Sequence, residues 1–156
     1  MTGRTSVQYD PNWQSKYSSM IMTAEQAVAR VQPGQSIFIS TGGAQPLSLV
    51  RALVARHAEL ADTRIIHSIT LGEAPYAYQE LSDHFSVNTF FIAANVRKTI
   101  QAGYGDYTPI SLSDVPRLFS SGRLPLDVAL IQVTPPDSQG RCSLGISVDI
   151  VKSATA

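Results

Sequence analysis

Four short runs are apolar almost from end to end, and they constrain the fold more than anything else in the chain. They are SIFIS (Ser36–Ser40), RIIHSIT (Arg64–Thr70), NTFFIAA (Asn88–Ala94) and DVALIQV (Asp127–Val133). Strands of this composition are covered on both faces, because a strand with one wet face alternates apolar and polar residues. Helical segments lie between them: LSLVRALVARHAEL (Leu47–Leu60), NVRKTIQAG (Asn95–Gly103) and SDVPRLFSSG (Ser113–Gly122). Alternation of buried strands and helices predicts an α/β fold: a mostly parallel sheet flanked by helices and joined by right-handed crossovers.

The helix signals agree with that plan. Thr23-Ala24-Glu25-Gln26 has the S/T-x-x-E/Q spacing of a capping box, and it predicts a first helix ending near Pro33-Gly34. Leu47, Val50, Leu53, Val54 and Leu60 form the stripe of an amphipathic helix. Residues 1–22 are polar enough to form an N-terminal arm on the surface, leaving 23–156 as the α/β domain, whose last helix is expected to begin near Ser147. A single cysteine among 156 residues excludes a disulfide framework, and Cys142, which has only Arg141 beside it, reads as a small apolar filler. Twelve basic residues balance twelve acidic ones, so the chain lacks the electrostatic footprint of a nucleic-acid or anionic-membrane partner. No apolar run approaches the roughly 20 residues that span a bilayer. The chain therefore reads as soluble and cytoplasmic, with neither nucleic acid nor membrane as a partner.

The stretch Thr41-Gly42-Gly43-Ala44-Gln45-Pro46 sits where the first strand hands over to its helix. In open α/β sheets, ligands bind at this end of the strands. Two glycines permit positive φ and close backbone approach, and Pro46 is expected at the first helical position, where its missing N–H costs nothing. The neighbouring amides, aided by the helix dipole, suit a carboxylate, a phosphate or a developing oxyanion. The competing reading is a tight turn with no ligand, and neither G-x-G-x-x-G nor G-x-x-x-x-G-K-[ST] is present to make this a nucleotide fingerprint.

Other polar residues fall near predicted strand ends. Asn95 and Arg97 open a helix, where Arg97 either pairs with a ligand carboxylate or a partner domain, or is solvated beside Asn95 as an ordinary cap. Gln132 lies late in the last strand and either faces the crevice or bonds to a neighbouring loop. Ser68 is a further candidate for the substrate or the domain interface. His67 beside it reads as a satisfied, half-buried histidine, and the spacing of the three histidines shows neither an acid–base pair nor a metal cluster. Tyr104, Tyr107 and Pro109 make an aromatic loop.

Taken together, STGGAQP, IIHSITLGEAPY and the long run from Ala94-Asn95-Val96-Arg97 through Asp127–Val133 to Cys142-Ser143-Leu144-Gly145 resemble the N-terminal half of the acetyl-CoA hydrolase/transferase family. The likeness covers roughly Met20 to Lys152. It implies one of two similar α/β halves with the active site between them, and acetate or 4-hydroxybutyrate CoA-transferase chemistry, with acetyl-CoA hydrolysis as the alternative. Coenzyme A would be a substrate, partnered by a small carboxylic acid. The resemblance also implies a glutamate nucleophile in the C-terminal half, and none of Glu25, Glu59, Glu73 or Glu80 matches it. The expectation is therefore an enzyme half that is inactive alone and carries no catalytic residue of its own. The surface that meets the missing half should drive homo-oligomer formation or aggregation when bare. A sugar-phosphate isomerase or sensor of similar architecture is a further alternative, but it should carry an internal acid–base pair.

Overall fold

The computed structural model describes residues 9–156, and within it five strands form a single parallel sheet. They are β1 (Ser36–Ile39), β2 (Thr63–His67), β3 (Phe85–Thr89), β4 (Gly105–Tyr107) and β5 (Val128–Leu130), in the order β4-β3-β2-β1-β5. The helices are α1 (Trp13–Lys16), α2 (Ala24–Val28), α3 (Leu47–Ala55), α4 (Arg97–Gln101), α5 (Val115–Ser120) and α6 (Val151–Ala154). The first eight residues of the predicted arm lie outside the described residues. The rest of it leans on the loop after β5, with the Asp10 N–H donating to the Pro136 carbonyl at 2.9 Å. No helix among the described residues is long and apolar enough to cross a membrane.

Alternation along the strands builds two cores. Ile37, Ile39, Ile65 and Val87 face α2, α3, Tyr76 and Val96, while Phe38 and Ile66 face Val115, Phe119, Ile150 and Val151 on the other side. The chain steps outward from β1 to β4 with α3 on one face, then returns across β1 to β5 with α5 on the other. A constant crossover hand requires that change of face when the direction of travel reverses.

Several boundaries differ from the sequence expectation. β3 is the stretch FSVNT, not NTFFIAA, because Phe85, Val87 and Thr89 are buried while Ser86 is exposed. The apolar Phe90, Ala93 and Val96 are buried in the connection that follows, so their hydrophobicity reports burial and not strand. β4 falls within the predicted aromatic loop; its edge position lets it be short and charged. α2 ends at Val28, well before Pro33, as Arg30 and Val31 donate to Ala27 and Val28 in tightened turns. The last helix starts at Val151, not near Ser147.

The capping box at Thr23 forms as expected: its hydroxyl accepts from the Gln26 N–H at 3.2 Å, and the Gln26 side chain accepts from the Thr23 N–H at 3.0 Å. Thr23→Ala should cost about 1 kcal/mol, read as a lower denaturant midpoint with an unchanged slope.

Candidate functional site

Strand order reverses at β1. The loops leaving β1 and β5 therefore diverge to opposite faces, and a crevice opens at their carboxyl ends. A cleft of about 480 Å³ lies there, lined by Gln45, Pro46, Leu47, Ser48, Ile131 and Gln132. The structure thus brings Gln45 and Pro46 of the glycine loop together with Gln132 of the last strand. Gln132 itself is exposed at the cleft, two residues beyond the buried end of β5.

Within the loop, Gly42 takes a left-handed φ of +59°, which a residue with a side chain adopts only at a cost. Its N–H donates to the Ile69 carbonyl at 2.7 Å, tying the loop to the chain beyond β2, and the Ala44 N–H donates to the Thr41 carbonyl at 3.2 Å. Both of these amides are spent, as is the Leu47 N–H, which donates to the Gln45 carbonyl at 3.0 Å. The N–H groups of Gly43, Gln45, Ser48 and Leu49 have no acceptor among the described residues. Ser48 and Leu49 are left unbonded because they lie in the first turn of α3. Pro46 precedes α3 with ψ of 79° and does not occupy its first helical position.

The segment after Gly145 lies against this loop. The Thr41 hydroxyl donates to Asp149 Oδ2 at 2.5 Å, and a Cβ placed on Gly42 would stand 3.0 Å from Ser147 Oγ. Gly42→Ala should therefore lower stability by about 1–2 kcal/mol, read by equilibrium denaturation, since the left-handed backbone alone carries that cost. Gly43 is exposed, with Ile146 as the nearest obstacle.

The remaining candidates are placed elsewhere. Ser68 is buried just past β2, its carbonyl accepting from the Thr89 hydroxyl and the Phe91 N–H, and it does not line the cleft. Asn95 is not the cap of α4, a position held by Val96; its side-chain nitrogen donates to Thr70 and to the Gly72 carbonyl. Arg97 is the exposed first residue of α4, and no ion pair forms with it among the described residues. His67 is fully buried rather than half-buried. It packs on Tyr76 with ring centroids 5.9 Å apart, and its Nε2 has no partner. Burial pushes its pKa down to about 4, partly opposed by a hydrogen bond with the Ser68 backbone.

None of the chain's glutamates enters the cleft. Glu59 pairs with Arg56 at 2.8 Å and Glu73 lies 3.9 Å from Arg51. Hydrogen bonds from its own backbone N–H and from Thr23 hold Glu25 below the usual carboxylate range. Cys142 is exposed, contrary to its expected role as an apolar filler. Sequence reasoning also missed Ser48 as a cleft-lining residue and the reach of Asp149 to Thr41; the latter pairs residues 108 apart, and no local pattern signals it.

Apolar side chains stand exposed around this end of the sheet. Leu47, Leu71, Phe91 and Val133 follow β1, β2, β3 and β5, and Ile146 overhangs Gly43 with 82% of its surface exposed.

Comparison with known proteins bears on this arrangement. Residues 5–156 match the family model described as the acetyl-CoA hydrolase/transferase N-terminal domain. A 4-hydroxybutyrate coenzyme A transferase of Clostridium kluyveri is 36% identical over 142 residues, covering 91% of this chain and 33% of that protein. A succinyl-CoA:acetate/propanoyl-CoA:succinate CoA transferase of Fasciola hepatica is 38% identical over 146 residues, covering 92% and 29%. The chain thus spans about a third of the length of these relatives. Among solved structures, a 4-hydroxybutyrate CoA-transferase from Porphyromonas gingivalis superposes with a TM-score of 0.72 at 28% identity, over 91% of this chain and 32% of that one. RipA from Yersinia pestis, at 24% identity and a TM-score of 0.76 over 86% of this chain and 34% of its own, shares the fold. With the family model matched along nearly its whole length, the chain belongs to the acetyl-CoA hydrolase/transferase N-terminal domain family.

Proposed function

We propose that this domain is the acyl-binding part of a CoA-transferase that moves coenzyme A between an acyl-CoA and a small carboxylic acid. The observation that carries the reading is the cleft at the β1/β5 reversal, walled in part by Gln45 and Pro46 of the glycine loop, a loop in which the amides of Gly43 and Gln45 are unspent. A thioester carbonyl under attack gathers negative charge on its oxygen, and preorganised amides at that position stabilise it without reorganising. Gly43, exposed and without a side chain, admits that oxygen to the backbone.

The attacking group is a glutamate carboxylate supplied by the remainder of the full-length enzyme. It adds to the thioester carbonyl and expels CoA thiolate, leaving an acyl–glutamyl anhydride. The thiolate then attacks the glutamyl carbonyl, releasing the first acid and forming a glutamyl-CoA thioester, and the acceptor acid reverses the sequence. Each intermediate keeps an activated carbonyl, so two easier steps replace one difficult one. Water in place of the acceptor acid gives hydrolysis; the transferase reading is favoured by relatives named as CoA transferases. The exposed apolar rim of Leu47, Leu71, Phe91, Val133 and Ile146 is the surface that the glutamate-bearing half covers.

The test compares the full-length enzyme with the 156-residue chain, using acetyl-CoA and a panel of short carboxylates. The full-length enzyme should exchange acyl groups and accumulate a hydroxylamine-sensitive enzyme-bound thioester, while the chain alone does neither. Acyl exchange by the isolated chain would contradict the reading.

A further inference from the structure

We infer that Gln45 and Asn95 are positioning residues, which lock the loops after β1, β2 and β3 into one rigid rim and so fix the glycine loop in register with the cleft. The inference rests on the proposed role of that loop and adds to it the device that holds it in place.

Gln45 is only 5% exposed, although it belongs to a surface loop. Its side-chain amide is used at both ends: Oε1 accepts from the Gly72 N–H at 3.0 Å, and Nε2 donates to the Glu73 carbonyl at 2.8 Å. Among uncharged side chains, only a carboxamide supplies a donor and an acceptor in that fork, so this is a side-chain copy of one rung of a sheet. The fit leaves no slack. A Cβ on Gly72 would lie 2.6 Å from Gln45 Oε1 and 2.8 Å from Leu47 Cδ2, so a side chain at 72 would have to displace the Gln45 carboxamide from its hydrogen bonds.

Gly72 is held from its other side as well. Its carbonyl accepts from Asn95 Nδ2 at 2.8 Å, and the same nitrogen lies 2.9 Å from Thr70 Oγ1 and 3.2 Å from the Thr70 carbonyl. Thr70 in turn pairs with Gly42 in a single parallel bridge. Residues 70–73 are thus clamped between the loop after β1 and the loop after β3, through side chains 23 to 28 residues distant in sequence. Gln45 stands two residues from Gly43 and carries one of the unspent amides itself. A shift at Gln45 therefore moves both donors relative to the substrate, and a displacement of about 1 Å at a reacting centre can cost on the order of 100-fold in rate.

The experiment uses the full-length enzyme and three variants. Gln45→Met keeps the volume and loses both hydrogen bonds. Gln45→Glu keeps the acceptor for Gly72 but sets a carboxylate against the Glu73 carbonyl. Gly43→Val serves as the control on the loop itself. For Gln45→Met we expect kcat to fall about 10- to 100-fold, KM for acetyl-CoA to stay within about twofold, and hydrogen exchange over residues 70–74 to accelerate. Gln45→Glu should retain protection at the Gly72 N–H alone, with kcat falling as in Gln45→Met. Wild-type kcat in Gln45→Met with Gly43→Val inactive would overturn the positioning role and leave the loop's role standing. A raised KM with unchanged kcat would also overturn it, because that pattern belongs to a residue that touches substrate. Normal turnover by Gly43→Val would remove both. Should Gln45→Met fail to fold, Asn95→Ala carries the same expectations for kcat, KM and exchange.

Discussion

Gly43→Val should lower kcat of the full-length enzyme by about 100-fold or more while leaving its denaturant midpoint almost unchanged. The two effects separate because of where Gly43 stands. A Cβ there meets only Ile146 Cδ1, at 3.8 Å, an ordinary van der Waals contact, and the residue does not have positive φ. Nothing in the fold therefore resists a side chain. The outer surface of the loop is another matter, since a β-branched group would stand where, in the proposed function, a thioester oxygen approaches the Gly43 and Gln45 amides. Loss of one preorganised donor to an oxyanion costs about 10²–10³ in kcat. Gly42 behaves in the opposite way: its left-handed φ and its closeness to Ser147 make substitution a matter of stability first. Steady-state kinetics and equilibrium denaturation of the two variants side by side distinguish a ligand cradle from a turn that merely needs glycine.

The second large effect concerns stability and pH. His67 is buried against Tyr76 with Nε2 unpartnered, and burial lowers its pKa from 6.5 to about 4. Above pH 6.5 the imidazole is neutral in both folded and unfolded chains and contributes no slope. Between 6.5 and about 4 the unfolded chain takes up the proton and the folded chain does not, so stability falls as the pH falls. At about 1.36 kcal/mol per pKa unit, the full loss is on the order of 3 kcal/mol. His67→Phe removes the titrating group and should flatten the difference in denaturation midpoint between pH 7 and pH 4.5 relative to wild type. An unchanged pH dependence in the variant would mean that His67 gains its proton in the folded state without penalty.

Much of the architecture was legible because burial on both faces leaves a direct trace in composition. SIFIS became β1 and DVALIQV contains β5, and the Thr23 capping box forms with both of its hydrogen bonds. The trace fails where apolar residues are buried without being strand, as at Phe90 and Ala93, and where a strand lies at an edge, as at β4. The geometry of the candidate site was legible in part. The position of Thr41–Pro46 followed from the general geometry of strand ends, and Gln132 was placed beside it by the return of β5 to β1. What the sequence hides is which amides are spent, since Gly42 is satisfied by Ile69, 27 residues away in sequence. The clamp of Gln45 and Asn95 on Gly72 is hidden for the same reason: its partners meet only after three strands have taken their places.

The central claim is that acyl-CoA lies in the cleft between the loops after β1 and β5. An acyl-CoA bearing a photoreactive diazirine in its acyl chain, crosslinked to the full-length enzyme and mapped by peptide mass spectrometry, tests it most directly. Label on residues 43–48 and 131–133, displaced by excess acetyl-CoA, is the predicted result. Label displaced in the same way but confined to the groove of Tyr78, Lys98 and Tyr104 beside α4, with none on the glycine loop, would contradict the account.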